Sequence, residues 1–121
     1  MQMSAGHPDD QVREAFELDE SATPDGAAVL RVHGELDMAT VEGFEPVLRR
    51  AIGSGDGPVV VDFAECRFVD SMGVRTLIRA GRLLAERGRV LRVVGAHDQV
   101  RELFRMIALD QAQAIEFDDG R

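Results

Sequence analysis

The sequence contains no tryptophan, no tyrosine and no lysine, holds one cysteine, and is only 5% aromatic over its 121 residues. Each absence closes a route. Without large aromatics the core has to be aliphatic, built from Val, Leu, Ile, Ala and Met. Without lysine there is no P-loop, whose motif needs that residue, and Schiff-base catalysis would fall to the N-terminal amine. With Cys66 alone, neither an internal disulfide nor a cysteine zinc site can form. That usage suits a reducing compartment. No apolar run approaches the roughly 18 residues of a membrane-spanning helix. Residues 1–14, with His7, Asp9, Asp10 and Glu14, lack the apolar centre of a signal peptide. The expectation is a cytoplasmic protein.

What is present is 45% hydrophobic, enough for a core at the length of one domain. Acidic residues number 22 against 14 arginines, for a net charge of −8. That balance argues against nucleic acid or an anionic membrane as the main partner, since both call for a basic footprint.

Along the chain, residues 1–13 are polar and read as a flexible N-terminal segment, which sets the domain at 14–118. "AFELDE" alternates Phe16 and Leu18 against Glu17 and Asp19, the pattern of a strand with one wet face. "SATPDG", residues 21–26, is a turn, and "AAVLRVHGEL", about 27–36, a more apolar strand pairing with the first as an antiparallel hairpin. "DMATVEGFEPVLRRAI" carries Phe44, Val47, Leu48 and Ala51 on one helical stripe. Pro46 places the start of its regular part near Gly43 to Glu45, or bends it. "VVVDF", 59–63, is apolar on both faces, the mark of a central strand covered on both sides. Val74, Leu77, Ile78, Gly81, Leu84 and Ala85 form the stripe of a helix over about 72–87, stopped by Gly88. "RVLRVVGA", 89–96, is a strand. Asp98 reads as the cap of a third helix bearing Val100, Leu103, Phe104 and Ile107, and "AIEF", 114–117, closes the order β-β-α-β-α-β-α-β. Alternating strands and helices predict a single α/β domain, with a mixed, mostly parallel sheet of about five strands and three main helices.

"RFVDSMGVRTL", 67–77, passes from an apolar run straight into a helix. Asp70 or Ser71 can cap that helix, and local pattern favours Ser71, because capping serines are common there. A nucleophile elbow, G-x-S-x-G, is matched at Ser71 and Gly73, but Val69 stands where the first glycine belongs. His97 would be the base of such a hydrolase. His7, His33 and His97 have no metal-ligand spacing, so no metal site is expected. Asp62, in the central strand, suggests a phosphoacceptor of the response-regulator type, but that mechanism needs a lysine.

The quoted segments "VHGELDMAT" (32–40), "VVVDFAECRFVDSMGVRTL" (59–77), "GRVLRVVG" (88–95) and "VRELFRMIALD" (100–110) together resemble a STAS domain, and specifically the bacterial anti-sigma factor antagonists. The likeness covers about 15–117, and "GELD" with "DSMG" at this separation is its most specific part. The resemblance implies a STAS-type fold and a regulator rather than an enzyme, with no cofactor of its own. It implies Ser71 as the phosphoacceptor of a partner anti-sigma factor that is a serine kinase, with ATP bound by that partner. The unmodified form would bind the partner and free a sigma factor, the phosphorylated form would release it, and a phosphatase acting on phospho-Ser71 would reset the cycle. The implied partner surface is Asp37, Met38, Thr40, Asp70, Ser71, Met72, Gly73 and Arg75, on a monomer or weak dimer that binds neither nucleic acid nor membrane. The setting would be stress response or sporulation-like signalling. Two residues depart from the family. Met72 stands where a small or hydroxyl residue is usual, and Pro46 interrupts the first helix. Thr76, as a mid-helix hydroxyl, is a poor second acceptor. Two alternatives share the fold: a STAS module of a larger stress-signalling complex, and a small-molecule or nucleotide-binding STAS domain.

Overall fold

A computed structural model of the chain describes residues 16–107 and 115–118. The expected N-terminal segment, 1–13, lies outside them. Strands β1 (Glu17–Ala22) and β2 (Ala28–Leu36) form the expected antiparallel hairpin, in a register that pairs Glu17 with His33 and Ala22 with Ala28. The turn is held by the Thr23 hydroxyl, which accepts the Ala27 N–H at 3.0 Å, and by Gly26, whose φ of 99° favours glycine.

Helix α1 (Val41–Gly53) begins earlier than its proline suggested. Pro46 lies inside it, in the second turn. The carbonyl left without an N–H donor is that of Glu42, four residues back, and Glu42 and Pro46 are both exposed. Water can satisfy that carbonyl, which is why the proline is tolerated. Strand β3 (Val59–Asp62) follows, then β4 (Cys66–Val69), helix α2 (Ser71–Ala85), β5 (Leu91–Val94), helix α3 (Asp98–Ile107) and β6 (Ile115–Asp118). Asp98 is the first residue of α3 rather than its cap: the N–H groups of Val100 and Arg101 both donate to the His97 carbonyl, which opens the helix.

The sheet has six strands, one more than expected, in the order β1-β2-β3-β5-β6. The extra strand is β4. β2 is nine residues long, and its first half pairs in parallel with β3 (Ala28 with Val59, Arg31 with Asp62). Its second half pairs in parallel with β4, Leu36 facing Val69. β3 and β4 thus share one edge of β2, and β5 and β6 extend the sheet in parallel beyond β3.

Leu30, Val32, Leu36, Val59, Val61, Leu91, Val93 and Ile115 point to one buried face of the sheet. Phe44 and Leu48 of α1, Val74, Leu77 and Leu84 of α2, and Val100 and Phe104 of α3 join the same cluster. Phe104 meets Phe117 of β6 edge-on, with centroids 5.0 Å apart. The other face has no helical layer among the described residues. Val29, Val60 and Val94 are half-buried there, between Arg31–Asp62 and Arg92–Glu116 pairs at 3.4 Å and 3.2 Å. The expectation that β3 is covered on both sides is therefore corrected. Its second apolar face is shaded by cross-strand neighbours, because all three helices pack on one side. No helix among the described residues is long and apolar enough to cross a membrane.

α2 ends as Gly88 suggested. Its φ is 70°, the Gly88 N–H donates to the Ala85 carbonyl, and the Arg89 N–H reaches back to Leu84 at 2.8 Å, the bond pair of a Schellman motif.

Candidate functional site

Because β2 and β4 run in parallel side by side, the loops that follow them leave the sheet at the same edge. The Asp70 N–H donates to the Leu36 carbonyl at 3.0 Å, the last rung of that ladder. Beyond it lie Asp37–Thr40, leading into α1, and Asp70–Ser71, leading into α2. One carboxylate joins the two segments. Asp70 Oδ1 accepts the Gly73 N–H at 3.0 Å and Oδ2 accepts the Met38 N–H at 3.0 Å. The first bond caps α2. The second ties the α1 entrance to the α2 entrance across 32 residues of sequence.

Ser71 is thereby corrected as a cap. The cap is Asp70, in extended conformation (φ −96°, ψ −176°), and Ser71 is the first helical residue. Ser71 is exposed, and its hydroxyl has no hydrogen-bond partner among the described residues, so no described base lies within reach of it. Gly73 is buried under the turn. A Cβ there would stand 2.9 Å from Val69 Cγ1 and 3.1 Å from the Leu36 carbonyl oxygen, so the α2 entrance sits as close to β2 and β4 as only glycine allows.

Asp37 and Thr40 are both occupied within their own loop. Asp37 Oδ1 accepts the N–H groups of Ala39 and Thr40 at 2.9 Å and 3.1 Å. The Thr40 hydroxyl donates to the Glu35 carbonyl at 2.8 Å and accepts the Asp37 N–H at 2.9 Å. Thr40 makes no side-chain cap on α1. The loop is thus fixed by its own side chains, and it presents Met38 outward, 70% exposed. Met72, beside Ser71, is 41% exposed, as is Phe68 on β4. Phe68 was legible only as an apolar lead-in; β4 is buried at its two ends, Cys66 and Val69, and open at Arg67 and Phe68 between them. Arg75, one turn beyond Ser71, is also exposed. Thr76 is buried and its hydroxyl donates to the Met72 carbonyl at 2.9 Å, which withdraws it as an acceptor of any group from outside.

The other polar residues singled out in the sequence serve the framework. His33 pairs with Asp19 at 3.1 Å across the hairpin, and Asp62 Oδ1 accepts the Ala64 N–H at 2.9 Å while its other oxygen faces Arg31. No three or more of His, Cys, Asp and Glu gather as a metal cage among the described residues. A shallow apolar groove lies between α1 and α2, walled by Leu48, Ile52, Ala80 and Leu83. Its charged rim is self-paired, with Arg49 and Arg79 both on Glu45.

This arrangement presents an exposed hydroxyl at a double entrance tied by Asp70, with exposed Met38 on one side of the tie and exposed Met72 next to the serine. A family model described as "Mlab, STAS domain" matches residues 20–116. The chain belongs to the STAS domain family. Among curated proteins, the anti-sigma-B factor antagonist of Staphylococcus aureus (strain NCTC 8325 / PS 47) is 28% identical over 90 residues, covering 74% of this chain and 83% of that protein. Among solved structures, the anti-sigma factor antagonist SpoIIAA in its unphosphorylated form superposes with a TM-score of 0.68 at 24% identity, covering 88% of this STAS chain and 90% of that one. The Bacillus cell fate determinant SpoIIAA in the phosphorylated form gives 0.63 at 24% identity, over 86% and 91%. Both superpositions bear on the fold. The mixed sheet and three helices of this STAS domain match it.

Proposed function

We propose that this STAS domain is an anti-sigma factor antagonist, and that phosphorylation of Ser71 switches its binding to an anti-sigma factor with serine kinase activity. The observation that carries the reading is the division of labour at the α2 entrance. Asp70 does the capping, which leaves the Ser71 hydroxyl exposed and unengaged. The name of the staphylococcal relative and the family match support the partner class.

The unmodified domain offers Met38, Met72 and Phe68 as apolar contacts around Ser71, with Asp37 and Thr40 holding the Met38 loop, and Asp70 and Gly73 holding the serine turn. The partner brings ATP. The Ser71 oxygen attacks the γ-phosphorus, the bond from that phosphorus to the β–γ bridging oxygen breaks, ADP leaves, and the hydroxyl proton passes to a base on the kinase. The phosphate adds about −1.5 to −2 charges next to Asp70. Burying it against a surface shaped for a neutral hydroxyl costs several kcal/mol, and a loss of about 3 kcal/mol weakens binding more than 100-fold. A phosphatase reverses the change: water attacks phosphorus, the P–Oγ bond breaks, and the serine oxygen regains a proton. The domain acts in the cytoplasm as a regulator, with no catalysis of its own.

The test is incubation with candidate anti-sigma kinases and ATP, followed by peptide mass spectrometry and affinity measurement on both forms. A phosphate on Ser71, absent from Ser71→Ala, with partner affinity lost on modification, is the expected result. A cognate kinase that binds the chain and leaves Ser71 unmarked overturns the switch.

A further inference from the structure

Arg75 is the exception among the described arginines of this protein. It is exposed, and among the described residues it alone of the arginines has no hydrogen bond, ion pair or ring contact. The other described arginines are engaged: Arg49 and Arg79 share Glu45, Arg87 and Arg89 share the Ile52 carbonyl, and the rest of the described ones have partners likewise. Carboxylates are not scarce, with 22 acidic residues to 14 arginines. The cause is local. The residues three and four positions away on the α2 face are Ser71, Met72, Ile78 and Arg79, none of them acidic. The one hydroxyl among them is Ser71, four residues earlier, which likewise has no partner among the described residues. Two unengaged groups thus sit one helical turn apart on one face, a spacing of about 5–6 Å between Cβ atoms.

We propose that Arg75 is the phosphate-reading residue of this domain, pairing with the phosphoryl group once Ser71 carries it. The proposal rests on the phosphoacceptor reading of Ser71 and adds a second consequence to it. A guanidinium meets phosphate oxygens through paired N–H donors, a geometry suited to this anion. Unphosphorylated, the same guanidinium is open to an acidic group on a partner. Phosphorylation then acts twice: it places an anion at the centre of the surface and takes the adjacent cation out of use. The neighbouring charge of opposite effect is Asp70, whose two oxygens are already held by Gly73 and Met38.

The experiment uses the full chain with phosphoserine installed at position 71 during translation, so that no kinase is needed. The phosphate is titrated by ³¹P NMR in the otherwise wild-type chain and in Arg75→Gln, Arg75→Lys and Arg75→Glu. Loss of the cation leaves the dianion less favoured, so Arg75→Gln should raise the phosphate midpoint by about 0.3 pH unit, the size expected of an exposed i,i+4 pair. Arg75→Glu should raise it further, and Arg75→Lys should keep about half of the wild-type effect. Each variant's fold is checked by its melting temperature, since a surface residue on α2 should tolerate all three. Coincident titration curves for wild type, Arg75→Gln and Arg75→Glu overturn the proposal. That outcome leaves the kinase experiment untouched, and a kinase that ignores Ser71 leaves this titration standing, so the two failures are distinct.

Discussion

Asp70 holds two bonds of the same length with different consequences, and single substitutions separate them. Asn at position 70 keeps a carbonyl oxygen for the Gly73 N–H but presents an NH₂ to the Met38 N–H. Asp70→Asn should therefore retain the cap and lose the link between the two loops, while Asp70→Ala loses both. The expected costs in urea unfolding are about 1 kcal/mol for Asn and about 2 kcal/mol for Ala. Ser71→Ala should stay within about 0.5 kcal/mol of wild type, because its hydroxyl supports nothing. A loss of a full cap's worth in Ser71→Ala would restore serine as the capping residue. Gly73→Ala is the severe change at this turn. Its Cβ would press on Val69 and the Leu36 carbonyl, for a loss of about 1–3 kcal/mol by the same measurement. The residue types of this site were legible in "VDSMG", but their roles were not. Ser and Asp are both good caps, and which one takes the helix N–H depends on backbone angles that a sequence does not display. The Asp70–Met38 bond was beyond reach for another reason: it depends on β4 lying beside β2.

At the scale of elements, the stripes of α1, α2 and α3 and the alternation of β2 were readable because each buries one periodic face, while β1 shows its alternation only around half-buried Leu18. β4 was not, since four residues between a turn and a helix show no period of their own. Its placement comes from the spare half of β2, a tertiary fact. β4 nevertheless has a chemical signature. Cys66 is buried, with its thiol donating to the Phe68 carbonyl at 3.3 Å, and burial pushes its ionisation upward. A free thiol ionises near pH 9.0. The native thiol keeps its proton beyond that point while the unfolded one loses it, so stability should hold up to about pH 9 and fall as pH rises past it. The composition makes this assignable. With neither lysine nor tyrosine, Cys66 is the only side chain in the sequence with an ordinary pKa between those of His and Arg. Urea midpoints from about pH 8 to about pH 10.5 should decline for wild type and stay flat for Cys66→Ala, whatever the constant offset from the lost sulfur. Equal slopes in the two proteins would place the alkaline loss elsewhere.

For the whole molecule, the question is whether the proposed switch works through overall charge or at the contact itself. The chain already carries −8, and a phosphate takes it to about −10. If repulsion between whole molecules released the partner, salt would undo the switch, since the screening length shrinks from about 8 Å at physiological ionic strength to about 3 Å at 1 M. The geometry favours the contact. Ser71 opens α2 beside the exposed Met72, and Asp70 ties that entrance to the loop bearing the exposed Met38. If a partner docks on these residues, as proposed, it covers the phosphate directly, and the cost of desolvating a dianion is not screened by ions outside the interface. Affinity of the phosphorylated chain for its anti-sigma factor should therefore stay more than about 30-fold below that of the unmodified chain, even at about 1 M salt. Paired calorimetric titrations of both forms, at low and high salt, give the comparison. Phosphorylated protein that regains nearly the full affinity at high salt would move the switch from the Ser71 contact to the net charge of the domain. In that case a charged residue added anywhere on the same face would mimic it.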